Sequence, residues 1–137
     1  MNIDALVNAS NNMSNQSMLN LTTSKIHTIT NNVLNNLNIT PQQHNLFTNQ
    51  LKTYMLIDEL DEIKSGAYIR WISLNEHTIL KRGAVFCNIQ INADGIQLIC
   101  KHPKFNNYYQ LTMDDNLIFQ KLNNQQLIVL SALDYLS

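Results

Sequence analysis

The hydrophobic pattern of this chain changes its period near residue 64. Before that point apolar residues recur at spacings of three and four, which is typical of helices. From Tyr68 to Leu122 apolar and polar residues alternate, which is typical of strands whose successive side chains lie on opposite faces. The sequence therefore predicts helices first, an antiparallel β unit next, and a closing helix last.

Two helices are predicted in the first half. Residues 24–38 carry one apolar stripe on an otherwise polar helix, formed by Ile26, Ile29, Val33, Leu34 and Leu37. Thr40, Pro41 and Gln43 form a capping box, so a second helix is predicted over residues 41–60. Residues 1–22 are rich in asparagine and poor in apolar residues, and we expect a flexible arm there.

Five strands are predicted in the second half. They cover Ala67–Leu74, Ala84–Asn92, a third segment around Ile96–Cys100, Tyr108–Met113 and Leu117–Leu122. Asp94-Gly95 predicts the hairpin turn between the second and the third strand. Alternation places five residues in the predicted interior, namely Val85, Ile89, Leu98, Leu111 and Phe119.

These elements predict an α+β fold. N-terminal helices precede a five-stranded antiparallel meander over residues 67–122, which we expect to curl into a small SH3-like barrel or half-barrel. A C-terminal helix over residues 124–136 is expected to cover an open end or edge of the sheet. Residues 23–137 are expected to form a single domain.

Charge is distributed unevenly along the chain. Residues 1–63 hold two lysines against five acidic residues, whereas residues 64–122 hold seven Lys or Arg residues against four acidic ones. A hairpin joined at Asp94-Gly95 brings the ends of the second and third strands together, so a basic face is predicted from Arg70, Lys81, Arg82, Lys101 and Lys104. Such a face is a candidate surface for nucleic acid or for a protein partner. The alternative is that these charges only keep the β unit soluble.

No catalytic, cofactor or metal site is predicted. The three glycines are isolated at strand boundaries or turns and form no phosphate-binding loop, and no nucleophile elbow or zinc-protease motif occurs. Asp114-Asp115 is expected to be a solvated turn. Cys87 and Cys100 are expected to be buried free thiols, with a disulfide or a metal role as the alternative. An enzyme is therefore the least favoured class.

Several segments resemble a known protein family. The runs Lys64–Ile72, Arg82–Ala84, Ile118–Leu122 and Leu130–Leu136 are similar to a small protein family of large nucleocytoplasmic DNA viruses. The resemblance covers residues 64–137 and implies a viral source and setting. It carries no activity that transfers to any of these residues.

Two hypotheses about function follow. The first is a non-enzymatic interaction or structural module, associated with a virion or capsid, that contacts a protein partner or a second copy through its N-terminal helices. The second is a nucleic-acid-associated protein that uses the basic face. The sequence contains no apolar leader and no run of about 18 apolar residues, so we expect an intracellular, soluble protein of the host cytoplasm or the virion, with no membrane partner.

Overall fold

The computed structural model describes residues 21–136, which form three α-helices and six strands. The helices are α1 (Thr23–Asn35), α2 (Pro41–Gln50) and α3 (Asn124–Leu136). The strands are β1 (Tyr54–Leu56), β2 (Tyr68–Ser73), β3 (Ala84–Asn92), β4 (Gly95–Lys101), β5 (Tyr108–Thr112) and β6 (Asn116–Lys121). Apart from Leu21 and Thr22, the arm predicted for residues 1–22 lies outside the described residues.

All six strands belong to one antiparallel sheet in the order β1-β6-β2-β3-β4-β5. Only a short 3₁₀ turn, Met113–Asp115, joins β5 to β6, although three strands separate them in the sheet. In a flat sheet their ends would lie about 19 Å apart, which exceeds the roughly 14 Å that such a connection spans. The sheet must therefore curl, and the rings of Trp71 on β2 and Tyr109 on β5 accordingly lie 5.8 Å apart.

The predicted fold is wrong in the number and order of its strands, although the class α+β fits. The sheet has six strands rather than five, and its order is not that of a meander, because β6 lies between β1 and β2. The chain is therefore an open, curled six-stranded sheet with three helices, not a five-stranded SH3-like barrel or half-barrel.

The second predicted helix is also wrong beyond Gln50. The capping box at its start is present, since Thr40 Oγ1 accepts the backbone N–H of Gln43 and the Gln43 side chain accepts that of Thr40. Residues 54–56 leave the helix and pair with β6, where the edge of the sheet supplies backbone partners. The acidic residues that follow, Asp58 to Glu62, would have stood at a helix C-terminus, where the helix dipole disfavours negative charge.

The sheet buries side chains on both faces. Its inner face carries Ile69, Trp71, Leu98 and Cys100 and packs with Ile26 of α1 and with Val129 and Leu130 of α3. Its outer face carries Ile72 and Phe119 and packs with Leu34 of α1, Phe47 of α2 and Leu51, which follows α2. Helices α1 and α2 therefore cover the outer face only at β1, β6 and β2.

The predicted interior set is divided between the two faces. Leu98 and Leu111 are buried on the inner face, and Ile89 packs partly against them, but Phe119 belongs to the outer cluster. Val85 is half-buried and lies on the outer face, opposite Lys101. A β-bulge at Cys87 causes this change, because Phe86 faces Cys100 while Asn88 already faces Ile99, so one residue of β3 has no partner.

Candidate functional site

Three of the five predicted basic residues gather at one end of the β3–β4 hairpin. Val85 at the start of β3 lies opposite Lys101 at the end of β4, so Arg82 and Lys104, which flank them in sequence, emerge at the same end. Arg82, Lys101 and Lys104 are all exposed. Hairpin geometry therefore places these three cations as the sequence predicts.

Of the other two predicted residues, Arg70 lies near Arg82 on the outer face, since its Cγ is 3.0 Å from a Cβ built at Gly83, and only Lys81 is directed elsewhere. Arg70 is half-buried on β2, and its Nε donates to the carbonyl of Lys81 at 2.9 Å. Lys81 is half-buried and lines a groove of about 250 Å³ between β2 and β5, together with Glu76 and Asp115. The predicted five-residue face is therefore divided, and acidic side chains share the groove with Lys81.

A row of neighbouring aromatic and basic side chains crosses four strands. The sequence predicted Lys101 in it but did not predict that Tyr68 and Tyr108 lie in the same row. Tyr68 on β2 lies opposite Val85 on β3, Val85 opposite Lys101 on β4, and Lys101 opposite Tyr108 on β5. Directly opposed residues share one face of a sheet, so all four side chains lie on the outer face. Lys101 is exposed, and Tyr108 keeps 61% of its surface accessible.

The loop between β4 and β5 adds to this surface. Phe105 is 64% exposed, and its ring lies 4.8 Å from that of His102. His102 Nδ1 accepts the backbone N–H groups of Lys104 at 3.0 Å and Phe105 at 3.1 Å, so it holds the loop in one conformation. The His102 ring also lies 6.4 Å from that of Tyr109, whose side chain is on the inner face, so this turn presents Lys104 beside the row while Phe105 is exposed toward the inner side.

We call this surface the basic–aromatic face. It comprises Tyr68, Arg82, Lys101, Lys104 and Tyr108. The hydroxyl of Tyr68 donates to the carbonyl of Arg82 at 3.0 Å, which ties the segment before β3 to β2. Between residues 77 and 113 the sequence has one acidic residue, Asp94, and it lies at the β3–β4 turn, at the opposite end of the hairpin. The face is therefore positively charged.

The cysteines occupy different environments. Cys87 is exposed at the bulge, so the prediction that it is buried is wrong. Cys100 is fully buried on the inner face, and burial together with the nearby Cys87 raises the pKa of its thiol to about 12. Cys100 therefore stays protonated at neutral pH and is not an activated nucleophile.

Other groups suited to chemistry are scattered. In the part of the chain that the structure describes, no three His, Cys, Asp or Glu side chains are grouped as metal ligands. Asp114 and Asp115 are exposed in the 3₁₀ turn before β6. Of the arrangements seen among residues 21–136, the basic–aromatic face is the one whose chemistry suits a ligand.

None of the three described helices is long and apolar enough to cross a membrane.

Comparison with known proteins finds no relative of this chain. Neither a protein-family model, nor a curated protein, nor a solved structure matches this chain.

Proposed function

We propose that this chain is a non-enzymatic binding module that holds single-stranded nucleic acid on its basic–aromatic face. The row Tyr68–Val85–Lys101–Tyr108 carries the proposal, because it places the exposed ring of Tyr108 directly beside the exposed cation of Lys101, with the half-buried ring of Tyr68 on the same face. Single strands are bound in this way by many proteins, since every base presents a flat face to an aromatic ring and every phosphate a charge to a cation.

The strength of binding follows from the number of groups. A stacked base contributes about 1–3 kcal/mol, and the face offers one well-exposed ring, that of Tyr108. Three exposed cations release about three counterions from a single strand, so the affinity falls with salt at a log–log slope of roughly −2. We therefore expect weak binding that depends strongly on salt.

The setting of this activity is part of the proposal. The resemblance of residues 64–137 to a family of large DNA viruses supports a viral protein that acts in the host cytoplasm or in the virion. A module that binds single strands has ligands in both places, as transcripts or as unwound genome.

A protein-interaction or structural module is the second candidate. Ile29 on α1 is 39% exposed and Leu46 on α2 is 51% exposed, although the main apolar stripes of both helices are buried on the chain's own sheet. These two exposed side chains favour contact of the N-terminal helices with a protein partner or a second copy.

Fluorescence anisotropy with labelled single-stranded DNA and RNA oligonucleotides tests the first candidate. At about 50 mM salt we expect the double variant Lys101→Glu, Tyr108→Ala to bind at least about tenfold more weakly than the natural chain. The control Lys52→Glu, Tyr135→Ala changes the same two residue types at exposed positions outside the face, and should bind within about twofold of it.

Both variants should melt near the natural temperature, because exposed side chains contribute little to stability. If the natural chain shifts neither DNA nor RNA at this salt concentration, the nucleic-acid proposal fails and the protein-interaction module replaces it. Equal losses in both double variants would show that binding is not located on this face.

A further inference from the structure

Strand β5 forms an open edge of the sheet. The backbone N–H of His102 donates to the carbonyl of Asn107 at 2.9 Å, so Asn107 directs its backbone groups toward β4. In an antiparallel pair the backbone groups of successive residues point alternately toward and away from the neighbouring strand. The backbone N–H and C=O groups of Tyr109 and Leu111 therefore also point toward β4. The N–H and C=O groups of Tyr108, Gln110 and Thr112 therefore point away from the sheet.

Within residues 21–136 no strand takes up these outward groups. The carbonyl of Thr112 accepts the side-chain amide of Asn116 at 2.8 Å and still has a second lone pair. At the other edge, β1 is only three residues long, and its Tyr54 and Met55 are buried in the two core clusters. Of the two terminal strands of the sheet, β5 is thus the longer and the more exposed, and its edge is open along its whole length.

The sequence of β5 does nothing to prevent pairing. Edge strands usually avoid it through lysine, proline, a bulge or a very short length. Strand β5 reads Tyr-Tyr-Gln-Leu-Thr, is five residues long and contains neither a charge nor a proline. Its pairing with β4 is regular over all five residues. An edge of this kind is a template for another extended strand.

The strand is complementary to itself. When two copies of β5 lie antiparallel and are centred on Gln110, each Tyr108 faces the partner's Thr112 and the two Gln110 residues face one another. Aromatic side chains pair well with β-branched ones across strands, and no like charges meet. The three outward residues of each strand exchange about six backbone hydrogen bonds in this register.

We propose that β5 pairs antiparallel with β5 of a second copy of this chain, with Gln110 at the centre of the pair. A twofold axis perpendicular to the sheet then places the outer faces of both copies on the same side. The two basic–aromatic faces become neighbours, so a single strand of nucleic acid can cross both. The dimer itself does not depend on nucleic acid.

Light scattering on the full chain, in the absence of nucleic acid, tests the pairing. We expect the natural chain to be dimeric at high concentration. Gln110→Lys and Gln110→Glu should each be monomeric, because the central residue then faces a like charge. An equimolar mixture of the two variants should form a heterodimer, since opposite charges meet at the same position.

A second pair of variants separates pairing from folding. In Gln110→Pro the lost N–H is one that points outward, so this variant keeps the fold and loses the dimer. Ile91 is 78% exposed and lies on the part of β3 that extends beyond its pairing with β2. By the same alternation, its backbone N–H points away from β4. Ile91→Pro is therefore the matched control, and it should remain dimeric.

A natural chain that stays monomeric over about a hundredfold range of concentration overturns the proposal. So does a dimer that persists in both single charge variants, because its interface is then elsewhere. Circular dichroism melts confirm that each variant is folded. Light scattering measures the dimer without nucleic acid, and anisotropy measures nucleic-acid binding. The two proposals can therefore fail independently of one another.

Discussion

Gly83 shows how a single residue holds the start of the basic–aromatic face in place. It has a φ of 108°, a conformation that residues with a side chain rarely adopt. A Cβ built there would overlap the carbonyl oxygen of Ile69 and would lie 2.9 Å from the ring of Tyr68. The backbone of this residue therefore approaches β2 as closely as glycine allows, and Arg82 emerges directly before it.

The first prediction is that Gly83→Ala is strongly destabilising. We expect a loss of about 3 kcal/mol or more in the free energy of unfolding, since backbone strain and overlap with a neighbouring strand act together. Denaturant titration measures this loss. The matched control is Gly95→Ala, where φ is 114° but no atom lies within 4 Å of the added methyl group, so only the strain remains. Equal losses at both positions would contradict the role assigned to the close approach.

His102 is a second single residue that stabilises a segment of this face, and it does so through two hydrogen bonds to the backbone. Because its Nδ1 accepts two backbone N–H groups, its proton is on Nε2. One side chain therefore orders the whole loop that carries Lys104 and Phe105, and no regular element is needed there.

At the scale of elements, strand β6 connects the two halves of the chain. It lies between β1 and β2, and its inner face carries Gln120, which is 2% exposed. The side-chain oxygen of Gln120 accepts the backbone N–H of Lys64 at 2.8 Å, and its amide donates to the carbonyl of Glu62 at 3.2 Å. A buried polar side chain thus fixes the segment that leads into β2.

The second prediction is that Gln120→Leu costs about 2–4 kcal/mol, even though leucine fills a similar volume. The change removes the hydrogen bonds that Gln120 makes with the Lys64 N–H and the Glu62 carbonyl, and losing hydrogen bonds to backbone groups in a protein interior is costly. Thermal and denaturant unfolding measure the loss. Gln90→Leu on the exposed side of β3 is the control and should cost less than about 0.5 kcal/mol. A neutral effect of Gln120→Leu would show that these two hydrogen bonds do not stabilise the sheet.

At the scale of the whole molecule, burial of Cys100 couples folding to alkaline pH. Its pKa lies near 12 in the folded chain, against 9.0 for an ordinary thiol. A raised pKa in the folded state means that stability is complete below pH 9 and is lost as the pH rises toward 12, because the unfolded chain gives up its proton first.

The third prediction is therefore that the free energy of unfolding decreases between pH 9 and 12. The Cys100 contribution is up to about 1.4 kcal/mol per pH unit. Tyr54 acts in the same direction, since burial raises its pKa, whereas Lys64 acts in the opposite direction, since burial lowers its pKa. Denaturant titrations at several pH values should give a shallower decrease for Cys100→Ala. An unchanged slope in that variant would rule out Cys100 as a source of the pH dependence.

Much of the local structure was predictable because it depends on neighbouring residues. Alternation predicted the strand over Ala84–Asn92, and the structure confirms it. The hairpin that follows was also predicted, although its turn centres on Ala93 and Asp94, one residue earlier than Asp94-Gly95 suggests. The grouping of Arg82, Lys101 and Lys104 followed from that hairpin alone.

What the sequence could not decide depends on partners that are distant along the chain. Residues 54–56 read as part of a helix, and only the free edge of β6, more than sixty residues later, makes them a strand. The bulge at Cys87 reverses which side chains of β3 face inward, because it inserts one residue of β3 that has no partner on β4.

The basic–aromatic face combines both kinds of information. Its residue types and its hairpin are local, so the sequence by itself determined that cations gather at one end of the β unit. The row from Tyr68 to Tyr108 needs the register of four strands, and register is decided by burial of the inner face against α1 and α3. Only the tertiary structure therefore placed the ring of Tyr108 beside Lys101 and directed Lys81 into the groove with Glu76.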